Sequence, residues 1–159
     1  SPENDFCYDA TEILPNTTNV GDTSGATIDN NAVDCGSSTA GLSPGVWFSI
    51  LGTGNTITAT TCNGAQYDTQ LSVFTGTCAV NGIQCVAGND DACDKQSSVS
   101  WASEQNFLYF IFVHGFLDET GFFSLEVNEL RDASENDFCI GATPITIGTP
   151  VLGSTETAS

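Results

Sequence analysis

The stretch Phe107-Leu108-Tyr109-Phe110-Ile111-Phe112-Val113 is the longest apolar run in the chain, and its reading decides the fold. Seven residues are too few to cross a bilayer as a helix, which needs about 20. β-branched and aromatic side chains dominate the run, so it reads as a buried strand. Shorter runs of the same character surround it. Val46-Trp47-Phe48-Ser49-Ile50 is ended by Gly52-Thr53-Gly54, and Thr56-Ile57-Thr58-Ala59-Thr60 alternates as a half-buried strand should. Gln70-Leu71-Ser72-Val73-Phe74 and Ile83-Gln84-Cys85-Val86 read as the arms of a hairpin. Ser98-Val99-Ser100-Trp101 is short, and Phe122-Phe123-Ser124-Leu125-Glu126-Val127 closes the series. Short strands at this spacing predict an all-β, antiparallel β-sandwich or jelly-roll-like module. The first 45 residues, rich in Gly, Asn, Asp and Thr, are expected to form extended edge strands and loops.

Composition narrows the setting. The 159 residues carry 20 acidic side chains against two basic ones, a net charge of −18. Such a field repels nucleic acid and anionic membrane surfaces, so neither is an expected partner. Seven cysteines without the paired CxxC spacing of zinc sites point to disulfides, an oxidising compartment and a secreted, extracellular protein. The first residues, Ser-Pro-Glu-Asn-Asp, are polar, so the chain is read as processed or as part of a longer protein.

An internal repeat organises the chain. Glu3-Asn4-Asp5-Phe6-Cys7 recurs as Glu135-Asn136-Asp137-Phe138-Cys139, and the match continues without a gap at an offset of 132. Ala10-Thr11 matches Ala142-Thr143, Ile13 matches Ile145, Gly21 matches Gly153 and Thr23 matches Thr155. About a dozen of the 27 positions compared are identical, so the expected units are a complete repeat over 1–132 and the start of the next over 133–159. Cys139 is then the copy of Cys7, with its partner outside the chain. The junction, Asn128 to Ser134, is a short linker that suits a semi-rigid array. Within 133–159, Ile145 to Leu152 could form a strand, and Ile145, Ile147, Val151 and Leu152 are the expected inter-repeat contacts by strand addition.

Six cysteines remain in the complete unit: Cys7, Cys35, Cys62, Cys78, Cys85 and Cys93. Fifteen connectivities are open to them. Val80-Asn81-Gly82-Ile83 reads as a hairpin turn and favours Cys78–Cys85, which leaves Cys7–Cys35 and Cys62–Cys93.

Several segments stand together in order. They are Asn4-Asp5-Phe6-Cys7 with Ala10-Thr11, Gly45-Val46-Trp47-Phe48, Thr61-Cys62, Tyr67-Asp68-Thr69 and Leu71-Ser72-Val73-Phe74. Gly76-Thr77-Cys78, Asn89-Asp90-Asp91 before Cys93, Leu108 to Phe116 and Gly121-Phe122-Phe123-Ser124-Leu125 follow. This series resembles the pre-peptidase C-terminal (PPC-like) β-sandwich domains, in a cysteine-rich, repeated extracellular form. The resemblance implies a jelly-roll-like sandwich attached to secreted proteins, often in several copies and without catalysis of its own. It also implies accessory, adhesive or surface-binding roles, with calcium held by some relatives. Three disulfides depart from the typical member.

The richest candidate site is Asn89-Asp90-Asp91-Ala92-Cys93-Asp94 with Asp68. Calcium takes six to eight oxygen ligands, and Asp68, Asn89, Asp90, Asp91 and Asp94 could supply several. The plainer reading is a capped turn with local side-chain bonds. Asn4-Asp5, repeated at Asn136-Asp137, reads as an Asx-type turn into the first strand. His114 is the only histidine and sits at the end of the apolar strand, where bonding to a neighbouring loop accounts for it. No Gly-x-Ser-x-Gly elbow accompanies it. Trp47 and Trp101 lie in strands that look core-facing, unlike the aromatics that line a glycosidase cleft. Asn16-Thr17-Thr18 is the sole N-glycosylation sequon. Two functions follow as expectations. One is a non-catalytic structural repeat whose copies are its partners in an extracellular fibre, sheath or adhesive stalk. The other is a calcium-dependent module that binds glycans or protein surfaces beside a secreted hydrolase.

Overall fold

The computed structural model of the chain describes residues 1–131. Among the described residues nine strands form two sheets: β1 (Thr11–Glu12), β2 (Thr17–Asp22), β3 (Gly45–Leu51), β4 (Thr56–Thr60), β5 (Thr69–Gly76), β6 (Ile83–Asp90), β7 (Ser98–Ala102), β8 (Leu108–Gly115) and β9 (Phe122–Leu130). A five-stranded sheet runs in the order β1-β3-β8-β5-β6 and a four-stranded sheet in the order β2-β9-β4-β7. Every pairing is antiparallel except β1 with β3. The expected all-β sandwich is therefore present, with the apolar run forming β8 at the centre of the larger sheet.

Strand composition sorts the sheets. β4, β7 and most of β9 bury alternate residues, as strands with one wet face do. β3, β5 and β8 are buried almost throughout, so the larger sheet is covered on both faces. On its inner face Val46, Phe48, Ile50, Leu71, Val73, Ile111 and Val113 meet Ile57, Ala59, Val99, Trp101, Phe123, Leu125 and Val127 of the smaller sheet. On its outer face Trp47, Phe74, Phe110 and Phe112 form a second cluster with Cys7, Ala32, Cys35, Ala40 and Ile83. Trp47 packs against Phe112 at 4.5 Å between ring centroids. Each large side chain buried this way contributes about 1.5–3 kcal/mol. The cover over the second cluster is drawn from the first 43 residues. Those residues supply the edge strands β1 and β2 as expected, but their main work is to roof a face.

Two of the three expected disulfide pairings are corrected. The bonds are Cys7–Cys78, Cys35–Cys85 and Cys62–Cys93. Cys78–Cys85 and Cys7–Cys35 do not form, although the hairpin itself does: the Thr77 N–H donates to Gly82 O at 3.0 Å, and Asn81 takes a φ of 59°. The register shifts between Val73 and Phe74, which pair with Ala87 and Cys85. Cys85 thus lies opposite Phe74, on the outer cluster's face, and meets Cys35 of the cover. Cys78, in the turn, reaches Cys7. Nearness along the chain fixed neither direction.

Asn4 lies in a turn and Asp5 in the bend that follows, but their side chains bond far along the chain and not within the turn. Asp5 is buried and accepts from the Thr27 N–H (2.7 Å) and the Thr27 hydroxyl (2.9 Å). Asn4 Nδ2 donates to Trp47 O at 2.8 Å, and the Trp47 N–H donates back to Asn4 O. Asp29, equally buried, accepts from the Cys7 N–H. The two carboxylates tie the cover to itself, and Asn4 ties it to the sheet. Cys139, the second repeat copy and the contacts expected at Ile145, Ile147, Val151 and Leu152 lie outside the described residues.

The path of the chain has a direction. Ser1 Cα comes within 3.9 Å of where a Gly25 side chain would begin, in the turn after β2. Asp22, the last residue of β2, pairs with Phe122, the first of β9. β9 then runs through to Leu130, roughly 27 Å away at ordinary strand rise. The chain enters at one end of the sandwich and leaves at the other.

Candidate functional site

The entry end carries the acidic group. Asp68 precedes β5, Asp90 is the last residue of β6, and Asp91 follows with a φ of 62°. Carboxylate oxygens of the three lie within 4.8 Å of one another. Hydrogen bonds from the scaffold fix the positions. The Asp68 N–H donates to Glu119 Oε2 at 2.8 Å, and its carbonyl accepts from the Phe116 N–H. The Asp90 N–H donates to Ser37 Oγ, and Gln70 Nε2 donates to Asp90 Oδ2 at 2.8 Å. Behind the site, Cys62–Cys93 ties the loop after β4 to the turn after β6, and the Thr69 N–H donates to Lys95 O.

This arrangement leaves negative charge uncompensated. Asp68 Oδ1 and Asp90 Oδ1 are buried and have no hydrogen-bond partner. Burial raises the pKa of Asp68 first, followed by repulsion from Asp90, Asp91 and Glu119, against a smaller opposing pull from Lys95. Burial and repulsion from Asp91 raise that of Asp90, against the hydrogen bond from Gln70. Two oxygens bound to one calcium at 2.3–2.6 Å stand at most about 5 Å apart, so the spacing and the orphaned oxygens fit a hard divalent cation. Of the five residues expected to hold calcium, the fold brings Asp68, Asp90 and Asp91 together. Asn89 Oδ1 is taken by the Ser98 N–H at 3.1 Å, and Asp94 is exposed outside the three-carboxylate group. Sequence reasoning missed Gln70 and Glu119. Glu119 had a faint signal in the acidic pair Asp118-Glu119, whereas Gln70 had none.

His114 lies on the outer face of β8 and is fully buried. Ser38 Oγ is 2.8 Å from its Nε2 and 2.7 Å from Ser72 Oγ, while Nδ1 is 3.0 Å from Gly115 O. With Nδ1 carrying the proton toward that carbonyl, Nε2 accepts from Ser38. Burial lowers the ring's pKa from 6.5 to about 4, so it is neutral at pH 7. Ser38 and His114 have the reach of a nucleophile and its base. Ser38 is 1% exposed and His114 0%, however, which leaves a substrate no approach. The pair clasps the cover onto the sheet, the role expected of a strand-end histidine bonded to a loop. Trp101 faces the inner core and Trp47 the outer one. Asn16 is exposed, with its Oδ1 accepting from the Glu129 N–H.

No protein-family model matches the sequence, and no curated protein matches it. Among solved structures the chain is similar to the pre-peptidase C-terminal domain of collagenase from Bacillus anthracis, at 13% identity over 75% of this chain and 94% of that one, with a TM-score of 0.45. It is similar to PliG of Aeromonas hydrophila, a periplasmic inhibitor of g-type lysozyme, at 12% identity over 76% and 96%, with a TM-score of 0.43. It is similar too to CorA, a surface-associated copper-binding protein of Methylomicrobium album BG8, at 9% identity over 76% and 98%, with a TM-score of 0.44. Likeness at this level assigns neither family nor function.

Proposed function

We propose that the unit is a non-catalytic structural repeat of a secreted tandem array, whose copies join end to end in an extracellular fibre, sheath or stalk. One observation carries the reading: the chain enters at one end of the sandwich and leaves at the other, and the sequence repeat restarts within a few residues of Leu130. Termini at opposite ends string units into a row, whereas termini at one end would fold them back. Three disulfides suit the oxidising setting. Small-angle scattering of a chain with two complete copies tests the reading. A maximum dimension close to twice that of one unit is expected, and a compact side-by-side pair would overturn it.

The orphaned oxygens of Asp68 and Asp90 favour a cation as part of this role. We propose that calcium, held by Asp68, Asp90 and Asp91, neutralises the entry end of each unit. Thermal melts of residues 1–159 with calcium and with chelator read this directly. A rise of several degrees with calcium that is absent in Asp90→Asn is expected, because a ligand bound only to the folded state stabilises it by mass action. Superimposable melts would exclude the site.

A further inference from the structure

At the entry end the cover and the β8–β9 connection face each other across a cavity of about 440 Å³. Asp34, Thr39 and Ser43 of the cover form one wall, and Phe116, Leu117 and Asp118 of the connection form the other. Both walls are anchored. Thr39 donates to Gln70 Oε1 through its N–H and its hydroxyl, and Cys35–Cys85 and Ser38–His114 hold the same stretch. Opposite, the Phe116 N–H donates to Asp68 O, and the Glu119 N–H closes a turn onto Phe116 O. The polar side chains have acceptor capacity to spare and no spare donor. Thr39 Oγ1 gives its hydrogen to Gln70 at 3.0 Å. Ser43 is only 2% exposed, yet its hydroxyl makes one long bond, 3.4 Å to Thr39 O. Asp34 Oδ1 takes the Gly41 N–H at 3.1 Å, and among the described residues neither Asp34 nor Asp118 pairs with a cation. The rest of the lining is apolar, with Phe116 39% and Leu117 65% exposed. Leu117 has a φ of 53°, whereas the six other non-glycine residues with positive φ among the described ones are Asn or Asp. Leucine has no polar group to bond that backbone locally, and strain of this kind gathers where a ligand is met.

We propose that this cavity receives the side chain of a lysine from a basic partner protein. An ammonium group brings three donors and a full positive charge, which match a lining of acceptors with two carboxylates. Its aliphatic stem covers Phe116 and Leu117 while the charged head reaches the carboxylates, as long cationic side chains do on mixed surfaces. A planar guanidinium is suited to a fork on one carboxylate, whereas the acceptors here come from two facing segments. The partner is foreign to this chain, whose sole lysine is Lys95. A net charge of −18 draws a basic protein toward the whole surface, and the cavity gives one of its lysines a defined seat. The seat shares no carboxylate with the group of Asp68, Asp90 and Asp91.

Amide NMR of residues 1–159 in chelator, titrated with the peptide acetyl-Gly-Lys-Gly-amide, tests the seat. Shifts are expected to centre on residues 34–43 and 116–119. The same peptide with norleucine for lysine keeps most of the stem, lacks the ammonium, and should leave those amides in place. Asp118→Asn, at an exposed loop position, should weaken lysine binding about fivefold, the scale of one exposed ion pair. Glu126→Gln, on the outer face of the smaller sheet, should not weaken it. Asp34→Asn should repeat the loss from the opposite wall, so the test survives if one variant folds poorly. Shifts spread evenly over the acidic surface, equal shifts with norleucine, or unchanged affinity in both aspartate variants would overturn the proposal. Calcium in place of chelator should leave the lysine-induced shifts intact. Their loss in calcium would place the lysine on Asp68, Asp90 and Asp91 and would equally overturn the cavity as its seat.

Discussion

Ser38 Oγ lies 2.8 Å from His114 Nε2 across 76 residues of chain, and both side chains are sealed from solvent. The bond joins the cover to the central strand of the larger sheet. The sealed site requires a neutral ring, because burial penalises the charged form.

That requirement gives stability a pH dependence of known sign. The folded pKa is lowered from 6.5 to about 4, so the unfolded state binds the proton more tightly. The contribution is fully present above pH 6.5 and is lost as pH falls toward 4, up to about 3 kcal/mol. Urea midpoints should fall between pH 6.5 and 4, and His114→Gln should flatten that slope. A wild-type midpoint constant across this window would contradict the neutral, buried ring.

The disulfides make a second prediction. A non-reducing peptide map should link Cys7 to Cys78, Cys35 to Cys85 and Cys62 to Cys93. Chain entropy ranks the three closely, at about 4 kcal/mol each. Structure separates them more sharply, because Cys35–Cys85 pins the cover over Trp47, Phe74 and Phe112. Replacing both cysteines of that pair with alanine should expose Trp47 and raise its accessibility to a soluble quencher. Replacing Cys62 and Cys93 should leave Trp47 dark to the quencher while loosening the acidic loop.

The contrast between these pairs shows what the sequence makes legible. Strands β3 to β9 were readable because β-branched and aromatic runs alternate with Gly, Asn and Asp, and local chemistry decides a strand. Asp68, Asp90 and Asp91 were readable as acids near one another in a few loops. The second core was not readable. Trp47, Phe74, Phe110 and Phe112 look like ordinary core residues, and nothing in residues 28–43, where small and polar side chains predominate, announces a roof over them. The long-range bonds of Asp5 to Thr27, Asn4 to Trp47 and Ser38 to His114 follow from that roof. A one-residue register shift opposite Val73 and Phe74 likewise sets the direction of Cys85 and so the disulfide map.

The acidic group supplies a third prediction, opposite in sign to that of His114. Asp90 has a raised pKa, so the folded state binds its proton more tightly, and stability falls as pH rises through the folded value. In chelator at pH 7, Asp90→Asn removes the repulsion from Asp91, keeps an acceptor for Gln70, and should melt a few degrees higher than wild type. Near pH 3, where the carboxyl is protonated in both states, the difference should vanish. A variant that melts lower at pH 7 in chelator would show that the carboxylate's bonds outweigh its repulsion.

Gly88 tests the roof most directly. It sits in β6 beneath the cover, and a Cβ there would fall 1.8 Å from Cys35 O and 2.6 Å from Cys35 C. Those are backbone atoms of a residue fixed by Cys85 and by the paired Cys35 and Ser38 bonds, so they cannot swing aside. Gly88→Ala must either lift the loop or bend the strand, and overpacking of this kind costs about 1–3 kcal/mol. Gly25→Ala is the matched control: its Cβ would meet Ser1 Cα at 3.9 Å and Pro2 Cδ at 4.0 Å, ordinary contact distances. Loss of unfolded-state freedom should then make that change neutral or stabilising, by about 0.4–1 kcal/mol. Denaturation of both variants should therefore separate them in opposite directions. With Gly88→Ala, amide exchange should rise first at the Thr39 N–H, which bonds Gln70 Oε1 at 2.8 Å under the same roof. Exchange that instead rises evenly over both sheets would mean the cover and the sandwich unfold as one body.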